Sequence, residues 1–186
     1  AYKSDASWRR AVRYLMPGHA AALQVFASHN SDLGGNEHDF RREESEQIRP
    51  ALERLLDAYC REGKREVAAA SAVTEECERM IASADLLLAS DENPALIKEI
   101  SPWLIQFKLL GEYGREVLCM LAAQCDGKKT ELEKAASHAK ALQVLMKKID
   151  ATYNQNGFQP GVKTGSCHLK PAFDRLYQEV VQRTGK

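Results

Sequence analysis

At 186 residues the chain has the size of one domain, large enough to bury about two-thirds of the surface its unfolded form exposes and so to fold without disulfide or metal staples. Basic and acidic residues balance at 26 each, which leaves no net field to draw it onto nucleic acid or an anionic membrane. No apolar run approaches the roughly 20 residues of a spanning helix, and the opening AYKSDASW lacks the charged-then-apolar order of a signal peptide, so membrane insertion is not expected.

Helical periodicity dominates from the start. Trp8, Val12 and Leu15 mark a first helix, and Leu23 and Phe26 a second. The lack of an initiator methionine and a chain that opens almost directly on a helix read as a domain excised from something longer. Next comes SHNSDLGGNEHDFRR, from Ser28 to Arg42, crowded with hydrogen-bonding side chains. Polar loops on helical scaffolds are where contacts are made. A plainer alternative is that Asn30 and Asp32 only cap and turn the chain between two helices.

Helical spacing returns at Ile48, Leu52, Leu55 and Tyr59, and again at Val73, Cys77, Met80, Ala84 and Leu87. Asn93-Pro94 is a start signal, read here as a short lead-in over residues 94–99 with a kink at Pro102. Ser101 is then the cap and Pro102 the first position of a helix striped by Leu104, Phe107, Gly111, Gly114, Leu118, Leu121 and Cys125. Two glycines on a buried stripe predict close approach by another backbone or a large side chain. Thr130 and Glu133 form a capping box before Leu132, Ala135, Ala139, Leu142, Met146, Ile149 and Tyr153. A loop from Asn154 to Ser166, rich in glycine, precedes a last stripe at Leu169, Phe173, Leu176 and Val180. The expected fold is all-α, a bundle of about six to seven helices in a single domain over 1–186.

Catalytic and metal patterns fail on spacing. His29, His38, Asp32, Glu37 and Asp39 contain donor types but no His-Glu-x-x-His and no paired Glu-x-x-His, so no metal is expected. Gly157, Gly161 and Gly165 fit neither a Walker loop nor Gly-x-Gly-x-x-Gly, and no Gly-x-Ser-x-Gly elbow occurs, so neither a cofactor nor a nucleophile is expected. Trp103, Phe107 and Tyr113 read as core rather than a sugar platform, and Glu43-Glu44 and Glu75-Glu76 as solvent-facing. Most of the five cysteines, Cys60, Cys77, Cys119, Cys125 and Cys167, fall on apolar stripes as small buried hydrophobes.

Ser7-Trp8-Arg-Arg-Ala11, Phe26-Ala-Ser-His-Asn-Ser-Asp-Leu-Gly34, Arg41-Arg-Glu-Glu-Ser45, Ser101-Pro-Trp-Leu-Ile-Gln-Phe107, Asn154-Gln-Asn156 and Gln159-Pro-Gly-Val-Lys-Thr164 occur here in order. Together they resemble the helical domain that follows the catalytic barrel in bacterial family 84 glycoside hydrolases, the β-N-acetylglucosaminidases of the O-GlcNAcase and hyaluronidase-like group, with closest similarity to the Bacteroides enzymes. The resemblance implies a periplasmic or secreted parent enzyme that removes β-linked N-acetylglucosamine with retention, using the substrate's acetamido group, on a barrel this chain does not contain. No catalytic residue carries over, and no hydrolysis by this chain alone is expected. The expected role is support of the barrel, with Ser28, His29, Asn30, Ser31, Asp32, Arg41 and Arg42 as the docking residues. Recognition of a glycan or protein partner is the alternative.

Overall fold

A computed structural model describes residues 13–29, 45–62, 66–125, 129–155 and 169–184. Six α-helices appear among them: α1 (Ala20–His29), α2 (Ser45–Glu62), α3 (Val67–Leu88), α4 (Pro94–Cys125), α5 (Lys129–Gln155) and α6 (Leu169–Thr184). A 3-10 turn at Pro17–His19 leads into α1, and residues 13–15 are helical. The described residues contain no strand, so the all-α expectation holds. Trp8, Val12 and Cys167 lie outside the described residues, as do the side chains of Ile48, Cys60, Cys125 and Tyr153.

The arrangement centres on α4. It packs along α3 on one side and α5 on another, and α6 crosses it, while α1 and α2 lie against α3. Its sequence explains the position, because apolar residues occupy more than one face: Leu104, Phe107, Leu118 and Leu121 lie on the expected stripe, and Leu110, Tyr113, Val117 and Met120 are buried beside it. A helix buried most of the way round belongs in the middle of a bundle. The glycines on the stripe are where its neighbours come closest. A methyl group added at Gly111 would stand 2.9 Å from the Cys77 carbonyl oxygen on α3, and one at Gly114 would meet the Phe173 ring from α6 and lie 2.7 Å from Cys77 Sγ.

The stripes on α3 and α6 are buried throughout, Val73, Cys77, Met80, Ala84 and Leu87 on one and Leu169, Phe173, Leu176 and Val180 on the other. Burial, followed by the Glu76 and Glu78 charges, pushes the Cys77 thiol up to about 12, so this cysteine is a packing group and not a thiolate. Cys119 is an exception to the buried cysteines, since it sits on the exposed side of α4. Leu132 likewise is 47% exposed, one turn ahead of the buried part of the α5 stripe.

Helix boundaries bring four further corrections. The Asn93-Pro94 signal starts α4 itself: Asn93 Oδ1 accepts the Leu96 N–H at 3.2 Å, and its carbonyl accepts the Ile97 N–H at 3.0 Å. The helix then runs through Pro102 instead of restarting there. Proline removes the N–H that would bond the Lys98 carbonyl, and the Ser101 hydroxyl donates to that same carbonyl at 3.2 Å. Ser101 is therefore a repair inside the helix rather than its cap. At α5 the helix already includes Lys129, so Thr130 lies within the first turn instead of capping it, and Asn154 and Gln155 belong to its end.

Candidate functional site

The polar segment singled out in the sequence begins at the C-terminal end of α1, where Ser28 and His29 are the last two residues. Asn30, Ser31, Asp32, Arg41 and Arg42 lie outside the described residues, as do His38, Glu37, Asp39, Glu43, Glu44, the Ser28 side chain and residues 156–166. His29 is thus the one docking candidate whose side chain is placed, and it is turned inward, 2% exposed.

Its ring is held by two groups. Nε2 hydrogen-bonds Glu76 Oε1 on α3; a carboxylate only accepts, so Nε2 carries the proton. The ring also rests on Phe107 of α4, centroids 5.5 Å apart and tilted by 42°. One turn earlier on α1, Phe26 meets the same Phe107 edge-on at 5.5 Å. The other Glu76 oxygen, Oε2, accepts from Arg79 at 2.7 Å and 2.9 Å. Both carboxylate oxygens are therefore engaged, which lets Glu76 lie at 12% side-chain exposure. Burial alone would raise the Glu76 carboxyl; the hydrogen bond from His29 and the charges of His29 and Arg79 outweigh it and hold the group below its usual 4.5.

This corrects the reading of Glu75-Glu76 as a solvated pair, since only Glu75 is exposed. Position 76 lies three residues after Val73 and four before Met80, both buried, so helical spacing puts it at the edge of the stripe. That signal was available in the sequence. Its partner, 47 residues away, was not.

Elsewhere the described polar side chains also tie helix to helix. The Tyr113 hydroxyl on α4 donates to Asp174 on α6 at 2.6 Å, and Lys170 bonds the other oxygen of Asp174 at 2.9 Å. Burial and the Asp174 hydrogen bond push the Tyr113 phenol well above its ordinary value. His138 on α5 lies 2.7 Å from Glu116 on α4, and Lys108 on α4 bonds Asp85 on α3 at 2.6 Å. Among the described residues no three His, Cys, Asp or Glu side chains are grouped to hold a metal, and no helix is long and apolar enough to cross a membrane. What these side chains do chemically is join elements.

Comparison with known proteins agrees with that architecture. Residues 44–177, well over half of the chain, match the family model described as "Bacterial GH84, post-catalytic domain". The structure of CpGH84B superposes with a TM-score of 0.71 at 17% identity, covering 95% of this chain and 28% of that one. The structure of CpGH84D gives a TM-score of 0.71 at 22% identity over 97% of this chain and 30% of that one. At such identities the two structures speak for the fold, and the chain spans less than a third of the length of either. His29 lies outside the matched residues and Glu76 within them. The match over the α2 to α6 core, on a bundle whose polar groups tie helix to helix, shows that the chain belongs to the bacterial GH84 post-catalytic domain family, the non-catalytic helical domain that accompanies the catalytic one.

Proposed function

We propose that this domain supports the catalytic barrel of a retaining, substrate-assisted β-N-acetylglucosaminidase, and that it contacts the barrel through the segment beginning at Ser28. The family match over residues 44–177 carries this reading. The geometry at the root of the segment adds to it: with its ring locked between Glu76 and Phe107, His29 fixes where the chain leaves α1. Anchoring a loop at its base reduces the conformational entropy lost when it meets a partner. In this reading His29 works as the anchor, and Ser28, Asn30, Ser31, Asp32, Arg41 and Arg42 make the contacts. Catalysis belongs to the barrel, and this domain by itself has no hydrolytic activity.

The test compares the full-length enzyme with a form lacking residues 13–184, following turnover of an aryl N-acetylglucosaminide and thermal unfolding of the catalytic domain. Support requires a clear fall in the unfolding temperature of the catalytic domain on removal. Equal temperature and equal turnover would reject it, and binding of the helical domain to a glycan array in that case would favour a targeting role.

A further inference from the structure

Residues 13–29 precede the family-matched segment, yet they are fastened to it at both ends. His29 and Glu76 make one fastening. At the other, the turn before α1 is gripped by the connection between α3 and α4. The Gly18 N–H donates to Glu92 Oε1 at 2.7 Å, and His19 Nδ1 lies 2.8 Å from Glu92 Oε2 and 3.3 Å from Ser90 Oγ. Ser90 Oγ also accepts the Glu92 N–H at 3.2 Å, which steadies the carboxylate's own backbone. Asn93 acts twice, since its side-chain oxygen caps α4 while its nitrogen donates to the Leu15 carbonyl at 3.2 Å.

Immediately before this clasp stand two large side chains that the bundle leaves uncovered, Tyr14 at 87% exposure and Leu15 at 37%. We propose that the clasp of Ser90, Glu92 and Asn93 presents Tyr14 and Leu15 as a seat for the catalytic domain of the same chain. The proposal rests on the supporting role above and adds a second contact to it, independent of the Ser28 to Arg42 segment. A domain that follows the catalytic one is entered from its N-terminal side, so the catalytic domain is tethered next to Tyr14 and meets it at high effective concentration. Tyrosine combines an apolar body with a polar tip, which suits a contact that is half covered and half wet. The hydrogen bonds to the backbone at Leu15 and Gly18 hold the chain beside the ring in place, so little further ordering is needed on contact.

The full-length protein tests this with three variants: Tyr14→Ser, Glu92→Ala, and Val144→Ser as a control at another exposed apolar position, 53% exposed. Tyr14→Ser is expected to lower the unfolding temperature of the catalytic domain by at least about 2 °C while leaving hydrogen exchange in α3 and α4 unchanged. Glu92→Ala should speed exchange at residues 14–19 and lower the same temperature, and Val144→Ser should do neither. If Tyr14→Ser changes nothing while removal of residues 13–184 still destabilises the catalytic domain, the seat is overturned and the supporting role stands. If removal changes nothing, both fall. A Tyr14→Ser effect confined to the mass of an oligomer would assign the surface to a second copy of the chain and overturn the proposal.

Discussion

The seam where α3, α4 and α6 meet and the strap formed by residues 13–29 are held by different physics. At the seam, Gly111 and Gly114 let Cys77, Met80 and Phe173 close onto α4 with no room for a methyl group. The strap carries its own apolar contacts, Leu23 and Phe26, but its two ends are set by hydrogen bonds that Glu76 accepts from His29, Glu92 accepts from Gly18 and Asn93 donates to Leu15. Close packing is intolerant of added volume, whereas side-chain hydrogen bonds are individually modest and, where they involve carboxylates, sensitive to protonation. The seam should therefore govern whether the domain folds, and the strap how its N-terminal side is presented.

Substitutions can break that contrast, and the largest effect belongs to the seam. Phe173→Ala removes a fully buried ring from the Gly114 notch and should cost about 3–5 kcal/mol, read as a lower denaturant midpoint for the helical domain. His29→Ala should come next, at about 2–4 kcal/mol, because it strips Glu76 of one partner and opens space beside Phe107; hydrogen exchange in α1 should rise far more than in α5. Gly114→Ala should cost about 1–3 kcal/mol through overpacking, even though alanine gains about 1 kcal/mol in helix propensity. A neutral or stabilising result there would show that Phe173 yields and that the seam is looser than its geometry implies.

Acid sharpens the same comparison. Glu76 is held below its usual 4.5 by His29 and Arg79 despite its burial, and Glu92 chiefly by the Gly18 N–H and then by His19. A carboxyl whose folded value lies below its unfolded one stabilises the protein above the unfolded value, and that contribution is lost as pH falls through the folded one. The window therefore lies below pH 4.5, and hydrogen exchange at residues 14–29 should accelerate there before exchange along α4 does. Simultaneous loss of protection in both regions would remove the distinction. The smallest expected effect is at the exposed Lys108–Asp85 pair, where the Asp85 hydrogen bond raises the lysine and Asp85→Ala should change stability by about 0.5 kcal/mol or less.

Much of the seam was legible in the sequence because burial on a helix repeats with the helix. Val73 to Leu87, Leu104 to Leu121 and Leu169 to Val180 could be assigned to a core from spacing alone, and the two glycines announced a close approach before any partner was known. Local chemistry that compensates for a broken rule was harder to see. Pro102 looked like a boundary because the Ser101 hydroxyl, which serves the Lys98 carbonyl instead, is equally at home as a cap. The strap was least legible. Glu76 beside Glu75 read as solvated and Glu92, in a short polar connection, carried no signal at all, because what gives each its role lies 47 residues away at His29 and 74 away at Gly18. No period encodes such pairings. The family was nonetheless visible in several short segments taken together, one of them the Ser101 to Phe107 run within α4.

Whether this helical domain and the catalytic domain behave as one unit can be measured by calorimetry of the full-length protein with and without an N-acetylglucosamine-like inhibitor bound at the catalytic site. A ligand stabilises only what is cooperatively linked to the folded state it binds. Support through the strap predicts that inhibitor raises the unfolding temperature of the helical domain along with that of the catalytic domain, and that Tyr14→Ser weakens this linkage. Two separate transitions, of which inhibitor shifts only the catalytic one, would contradict it.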